Sequence, residues 1–186
     1  MVGTTRPPSV RASPRATVET LAEHPALNAT LEDGTLTTYD GVHLAIAVSL
    51  GEGGLIVPVI RDAQDLSVEG LASRIKDVAR RARAGQLSPD EVRGGSFTIT
   101  NPGGYGSIMA TPVINQPQVA ILDTEAVVKR PVVITDEMGN DSIAIRSMTY
   151  LCMSWDHRAL DGALAAQFLS ALRKNLESWP TTSAGV

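Results

Sequence analysis

The chain has 186 residues, 43% of them hydrophobic and 19% charged, enough for one domain with a sizeable core. Sixteen basic against twenty acidic residues leave a formal charge of −4, which excludes a nucleic-acid binder that works by neutralising phosphates. A single cysteine, Cys152, excludes an internal disulfide, and no apolar run reaches the roughly 20 residues of a membrane span. The expectation is a cytoplasmic protein with neither nucleic-acid nor membrane partners.

Residues 1–15 are rich in proline and arginine, show no apolar period, and read as a disordered or loosely attached lead to a domain over 16–186. A first helix is predicted over 16–24, with Val18, Leu21 and Ala22 at helical spacing and Pro25 to end it. Strand periodicity starts at Leu27, and Asp33-Gly34 between two alternating runs predicts a two-residue hairpin. Residues 42–50 read as one nearly continuous buried strand. A second covers 55–60, with Pro58 placing it at an edge or a bulge.

Over 67–84 Leu71, Ile75, Val78, Ala79 and Ala82 share a helical face, and Ser88-Pro89-Asp90-Glu91 has the form of a capping box. Three strand candidates follow: 97–100, then 118–134 with a break at Lys129-Arg130, then 142–155. Gly139-Asn140 supplies turn chemistry between the last two. Residues 162–179 form an amphipathic helix with Leu164, Phe168, Leu172 and Leu176 on its buried stripe. The economical architecture is an α+β sandwich, a mixed sheet with helices packed on one face.

The stretch SWDHRALDG, 154–162, gathers Asp156, His157 and Arg158 at the end of an apolar run. On its residues alone His157 is a strand-end histidine bonded to its neighbours, and Asp161 the N-cap of the helix that follows. The chemical reading uses the same placement: a histidine, ordinarily titrating near about 6.5, is suited to take a proton at neutral pH. A metal site is not expected, because His24 and His43 show no ligand spacing to His157. Thr100 on its own is a β-branched residue filling a strand. The glycine-rich NPGGYGS lacks the Lys-Ser/Thr of a phosphate loop and reads as a tight turn allowing close backbone approach. Cys152 reads as a small buried apolar residue.

SWDHRALDG closely resembles the DHRxxDG active-site signature of the dihydrolipoamide acyltransferases, the E2 catalytic domains of 2-oxoacid dehydrogenase complexes. LIVPVIRDA, GGSFTITNPGGYGSIMATPVINQPQVAIL and AVVKRPVVI followed by SMTYLCMSWDHR match the family in order and spacing. The resemblance spans roughly 16–179, and the actinobacterial pyruvate and 2-oxoglutarate dehydrogenase acyltransferases look nearest. It implies a chloramphenicol-acetyltransferase-like fold and acyl transfer, succinyl or acetyl, between dihydrolipoamide and coenzyme A. The lipoamide would ride on a separate lipoyl domain absent from this chain. It further implies that His157 is the general base, that the Thr100 hydroxyl donates to the developing oxyanion, and that Asp161 is the acid that shapes the site through an ion pair. Asp156 and Arg158 would hold the turn. The implied partners are two further copies in a homotrimer, with Thr100 of one copy facing His157 of the next across the subunit boundary, extended in some relatives to a cubic core, and the E1 and E3 components.

Against the family pattern the chain looks N-terminally shortened, and the arginine that usually meets the acid at Asp161 comes from the region that differs. Asp123 and Glu125 stand where relatives often have glycine or a small residue. Two carboxylates beside an acyl channel would disfavour anionic acyl groups or signal lost activity. The alternative reading is therefore a catalytically weak or inactive trimeric scaffold.

Overall fold

The computed structural model describes residues 8–179, with side chains from Ser13 onward. Helix α1 spans Pro8–Glu23, starting well before residue 16, and Pro14 lies inside it. Arg15, read from sequence as part of a loose lead, is anchored. Its guanidinium donates to the carbonyls of Gln64 at 2.7 Å and Leu66 at 2.8 Å and pairs with Glu19 at 2.9 Å. A side chain that satisfies two loop carbonyls ties the helix to the body, which a count of prolines could not reveal. Residues 1–7 of the expected lead lie outside the described residues.

Strands β1 (Ala29–Glu32) and β2 (Thr35–Thr38) form the predicted hairpin. Asp33 at φ 49° and Gly34 at φ 78° supply the two left-handed residues that a tight hairpin turn requires. The continuous strand expected over 42–50 is in fact two, β3 (Leu44–Ile46) and β4 (Val48–Ser49). The chain changes partner between them: β3 belongs to the main sheet, whereas β4 pairs with β5 (Leu55–Ile56). Pro58 has no N–H to offer a ladder, and it divides the next run into β5 and β6 (Val59–Ile60), with β6 on the sheet edge as expected.

Helix α2 (Val68–Arg83) is capped by the Ser67 hydroxyl, which accepts from the Gly70 N–H at 3.1 Å, and it buries Leu71, Val78 and Ala82. The capping box at Ser88 and Glu91 is formed over a short 3-10 turn, Pro89–Val92. Arg81 reaches across to Glu91 at 2.6 Å and joins that turn to α2.

Strand β7 (Phe97–Thr100) is as expected. The run over 118–134 breaks elsewhere than at Lys129-Arg130: β8 (Ala120–Thr124) ends first, and the charged pair lies inside β9 (Val128–Thr135). The run over 142–155 is likewise divided, into β10 (Asp141–Met148) and β11 (Leu151–Trp155). Both breaks have one cause. Strands β9 and β10 leave the sheet as a separate antiparallel ribbon, where charged side chains stay in water and interrupt nothing. The turn through Gly139 closes that ribbon. Helix α3 (Gly162–Ser178) ends the described fold.

The main sheet has the order β11-β8-β7-β3-β6. Strands β3, β7 and β8 run parallel, while β6 and β11 run against them. Leu44, Ile60, Phe97, Ile99, Ala120 and Leu122 point to one face and meet Leu21 of α1, Leu71 of α2, and Phe168 and Leu172 of α3. The rings of Phe97 and Phe168 lie 5.8 Å apart across that layer. This is the expected mixed sheet with helices on one face. Alternation sends Thr98, Ile121, Asp123 and Cys152 to the other face, where the buried Gln118 side chain accepts from the Thr98 hydroxyl.

Candidate active site

His157 lies just past the end of β11, in the turn that leads to α3. The turn is built by its neighbours. The Asp156 N–H donates to the Val119 carbonyl at 2.8 Å, and the Asp156 carbonyl accepts from Ala159 and Leu160, each at 3.0 Å. The Asp156 carboxylate accepts from the Arg158 N–H at 3.0 Å and from its guanidinium at 2.6 and 2.9 Å. That guanidinium holds Asp156 down at about 2, so the pair stays ionised and the turn stays closed. His157 is left exposed, its ring 6.1 Å from that of Trp155, with no hydrogen bond to its imidazole among the described residues. The role read for Asp156 and Arg158, holding the turn, is the one their geometry performs.

Asp161 is the N-cap of α3, its carboxylate accepting from the Leu164 N–H at 2.8 Å. Among the described residues no arginine meets it. Thr100 ends β7, with Asp123 of β8 as its register partner and Cys152 of β11 one strand further. Trp155, three residues beyond Cys152, pairs instead with Ala120 at the opposite end of β8. With ~3.3 Å per residue and ~4.8 Å per strand, Thr100 is roughly 14 Å from Trp155, and His157 is further along. One chain does not bring the two groups together.

The NPGGYGS segment is the close approach expected of it. Its 3-10 turn, Pro102–Tyr105, lays Gly103 flat on the Glu125–Ala126 peptide, and a Cβ there would fall 2.3 Å from the Ala126 nitrogen. Asp123 and Glu125 do not line an open channel as the sequence reading had it. They are buried, 0% and 2% exposed. Cys152 is half-buried and free. A cavity of about 620 Å³ opens on the helical face between α1, α3 and the base of the ribbon, lined in part by Thr124, Tyr150, Leu169 and Arg173, and none of His157, Thr100 and Asp161 borders it. Among the described residues no cluster of histidine, cysteine and acidic side chains is arranged for a metal, and no helix is long and apolar enough to cross a membrane.

Sequence reasoning missed the burial of Asp123 and Glu125, for which i, i+2 spacing at the end of a central strand was the available sign.

The chain resembles known proteins over nearly its full length. The model of the 2-oxoacid dehydrogenases acyltransferase (catalytic domain) matches residues 11–183. The dihydrolipoyllysine-residue acetyltransferase component of the pyruvate dehydrogenase complex of Mycobacterium tuberculosis, an actinobacterial relative, is 49% identical over 88% of this chain, which spans 30% of that relative's length. Two solved structures match at TM-score 0.83 and 32% identity, covering 94% of this chain and 70% of theirs. One is the Azotobacter vinelandii dihydrolipoamide acetyltransferase, in which a serine, a histidine and an asparagine four residues after it have been investigated for their role in catalysis. The other is the cubic core of the pyruvate dehydrogenase multienzyme complex. Chloramphenicol acetyltransferase, 15% identical with TM-score 0.52 over 90% of this chain and 77% of its own, shares the fold. By the extent of these matches, the chain belongs to the family of 2-oxoacid dehydrogenase acyltransferase catalytic domains.

Proposed function

We propose that the protein transfers an acyl group, acetyl or succinyl, between dihydrolipoamide and coenzyme A within a 2-oxoacid dehydrogenase complex, and that it does so as a homotrimer. The observation that carries this reading is the exposed His157 on a braced turn, with Thr100 at the far end of the same sheet. Each is half of a site that a neighbouring copy completes. His157 takes the proton of the attacking thiol, and the Thr100 hydroxyl of the next copy donates to the carbonyl oxygen where negative charge develops. Asp161 fixes the start of α3 directly behind the histidine turn, at the position of the asparagine investigated in the Azotobacter enzyme.

The surface supports a partner copy. Ile143 and Ile145 on the ribbon are 79% and 69% exposed, and Met109 and Val113 in the segment after Thr100 are 70% and 88% exposed. Apolar side chains in such number on one small chain are the material of an interface. Further assembly into a cubic core, and engagement of the E1 and E3 components, belong to the same reading.

A thioester-exchange assay with dihydrolipoamide and acetyl- or succinyl-CoA tests it. Turnover is expected in the parent, and His157→Ala should lower kcat by about 10²–10⁴-fold with the fold intact by circular dichroism. Equal turnover in the two proteins would make the histidine structural and the assignment wrong.

A further inference from the structure

Asp123 and Glu125 sit two residues apart on the face of the sheet away from the helices, and none of their four carboxylate oxygens meets a hydrogen-bond donor among the described residues. Two ionised carboxylates side by side out of water are disfavoured twice, by lost hydration and by repulsion, and a proton held by one of them relieves both. Burial first, and the Glu125 carboxyl second, push Asp123 up to about 7, against a smaller pull from the Thr124 backbone.

Among the described residues no cation answers the pair. The elements around it contribute Cys152, across from Asp123 on β11, then Tyr150, and Tyr105 on the turn, which is 81% exposed. Arg130 lies 4.9 Å over the Tyr150 ring and donates to its hydroxyl at 3.2 Å, engaging neither carboxylate.

The stretch that carries Thr100 rests on this pair. Thr100 is the register partner of Asp123, and the Pro102–Tyr105 turn begins two residues after Thr100. Gly103 is seated on the Glu125–Ala126 peptide, and the Ala126 N–H donates to the Ser107 carbonyl at 2.9 Å. On the other side the Thr149 hydroxyl donates to the Glu125 carbonyl at 2.8 Å. We propose that Asp123 and Glu125 share a single proton and, so joined, act as positioning residues that hold Thr100 and the 101–107 turn in place, releasing the turn when the proton goes to solvent.

The sign of the pH dependence follows from linkage. Between the ordinary carboxylate range near about 4 and the raised value near 7, the closed turn keeps a proton that the opened form has lost. Closure therefore weakens as pH rises through that window and levels off above it.

The test is backbone amide exchange on the full chain between pH 5 and 8, with intrinsic rates divided out, for the parent, Asp123→Asn and Glu125→Gln. Both amides supply a fixed donor to the remaining carboxylate, so one variant serves if the other fails to fold. Protection of Ala126 and of the 103–107 amides should fall about tenfold per pH unit up to 7 in the parent, as one linked proton requires, and should stay level in the variants. Flat protection in the parent, or the same slope in both variants, overturns the proposal. A second arm rests on the acyl-transfer reading: the ratio of kcat at pH 8 to that at pH 6.5 should be higher in Asp123→Asn than in the parent, with KM unchanged. An equal ratio would show that the pair does not position Thr100. No turnover in any of the three, with the exchange result as expected, would instead fault the acyl-transfer reading and leave the hold on the turn established.

Discussion

His157 is presented by the residues on either side of it. Its neighbours Asp156 and Arg158 spend their charges on each other and on the backbone, and they leave the imidazole the one ionisable group of the turn without a hydrogen-bonded partner among the described residues. The pair carries its own pH signature. Asp156 is held at about 2 against an ordinary value near 4, so the folded chain favours the ionised form. That stabilisation is present above about 4 and is lost as pH falls toward 2. Urea midpoints measured from pH 5 down to 2.5 should drop less in Asp156→Asn than in the parent, by a small margin because the pair is at the surface. Thr100 makes a different prediction. A donor whose bond strengthens only as charge develops should, in Thr100→Ala, lower kcat by about 10²–10³-fold while KM barely moves. A proportionate rise in KM would place the hydroxyl on the bound substrate instead. His157, Thr100 and Asp161 could be singled out in the sequence because each falls in a short motif that the family resemblance covers. The state of Asp123 and Glu125 was not, because a strand pattern shows which residues share a face but not what lies on top of it.

Among the elements, α3 and the β9–β10 ribbon show opposite kinds of legibility. The helix could be read from its stripe and from its cap, and the structure returns both: Phe168 and Leu172 fully buried, and Asp161 on the Leu164 N–H. Asp161→Ala should cost about 1 kcal/mol of stability in urea unfolding through the lost cap. A much larger loss of activity than of stability would give the carboxylate a task in the site. The ribbon was read as strands, but only as parts of the longer runs over 118–134 and 142–155. Periodicity reports that a side chain is apolar, not whether its own chain covers it. Ile143 and Ile145 show this, patterned like core residues and mostly exposed. Replacing both by aspartate should leave the circular dichroism unchanged and the protein monomeric in sedimentation. A double variant that assembles like the parent would show that the ribbon faces water.

For the whole molecule, the decisive fact is that one sheet carries His157 and Thr100 toward opposite ends. In the proposed ring of three, each site would draw its histidine from one copy and its threonine from the next. His157→Ala and Thr100→Ala, each inactive alone, should therefore complement when unfolded and refolded together at equal amounts. About a quarter of the sites in random mixed rings would join an intact histidine to an intact threonine, and activity should return to that fraction of the parent's. No recovery in rings shown to be mixed would place both groups in the same site of one chain. The helical layer and the mixed sheet could be argued from hydrophobic period and turn chemistry. The strand order could not, and the separation of Thr100 from His157 was implied by the family resemblance alone, since nothing in a linear motif says which end of a strand its neighbour's motif will occupy.

That division has a bearing on the life of the chain before assembly. On the proposed reading, a freshly synthesised copy, folded and alone, would hold a base with nothing to activate against and a donor with no charge to receive. It would be silent toward any thiol or thioester it met in passing. Reactivity would arrive only with the ring, and acyl groups would be exposed to exchange only where a finished particle could receive them.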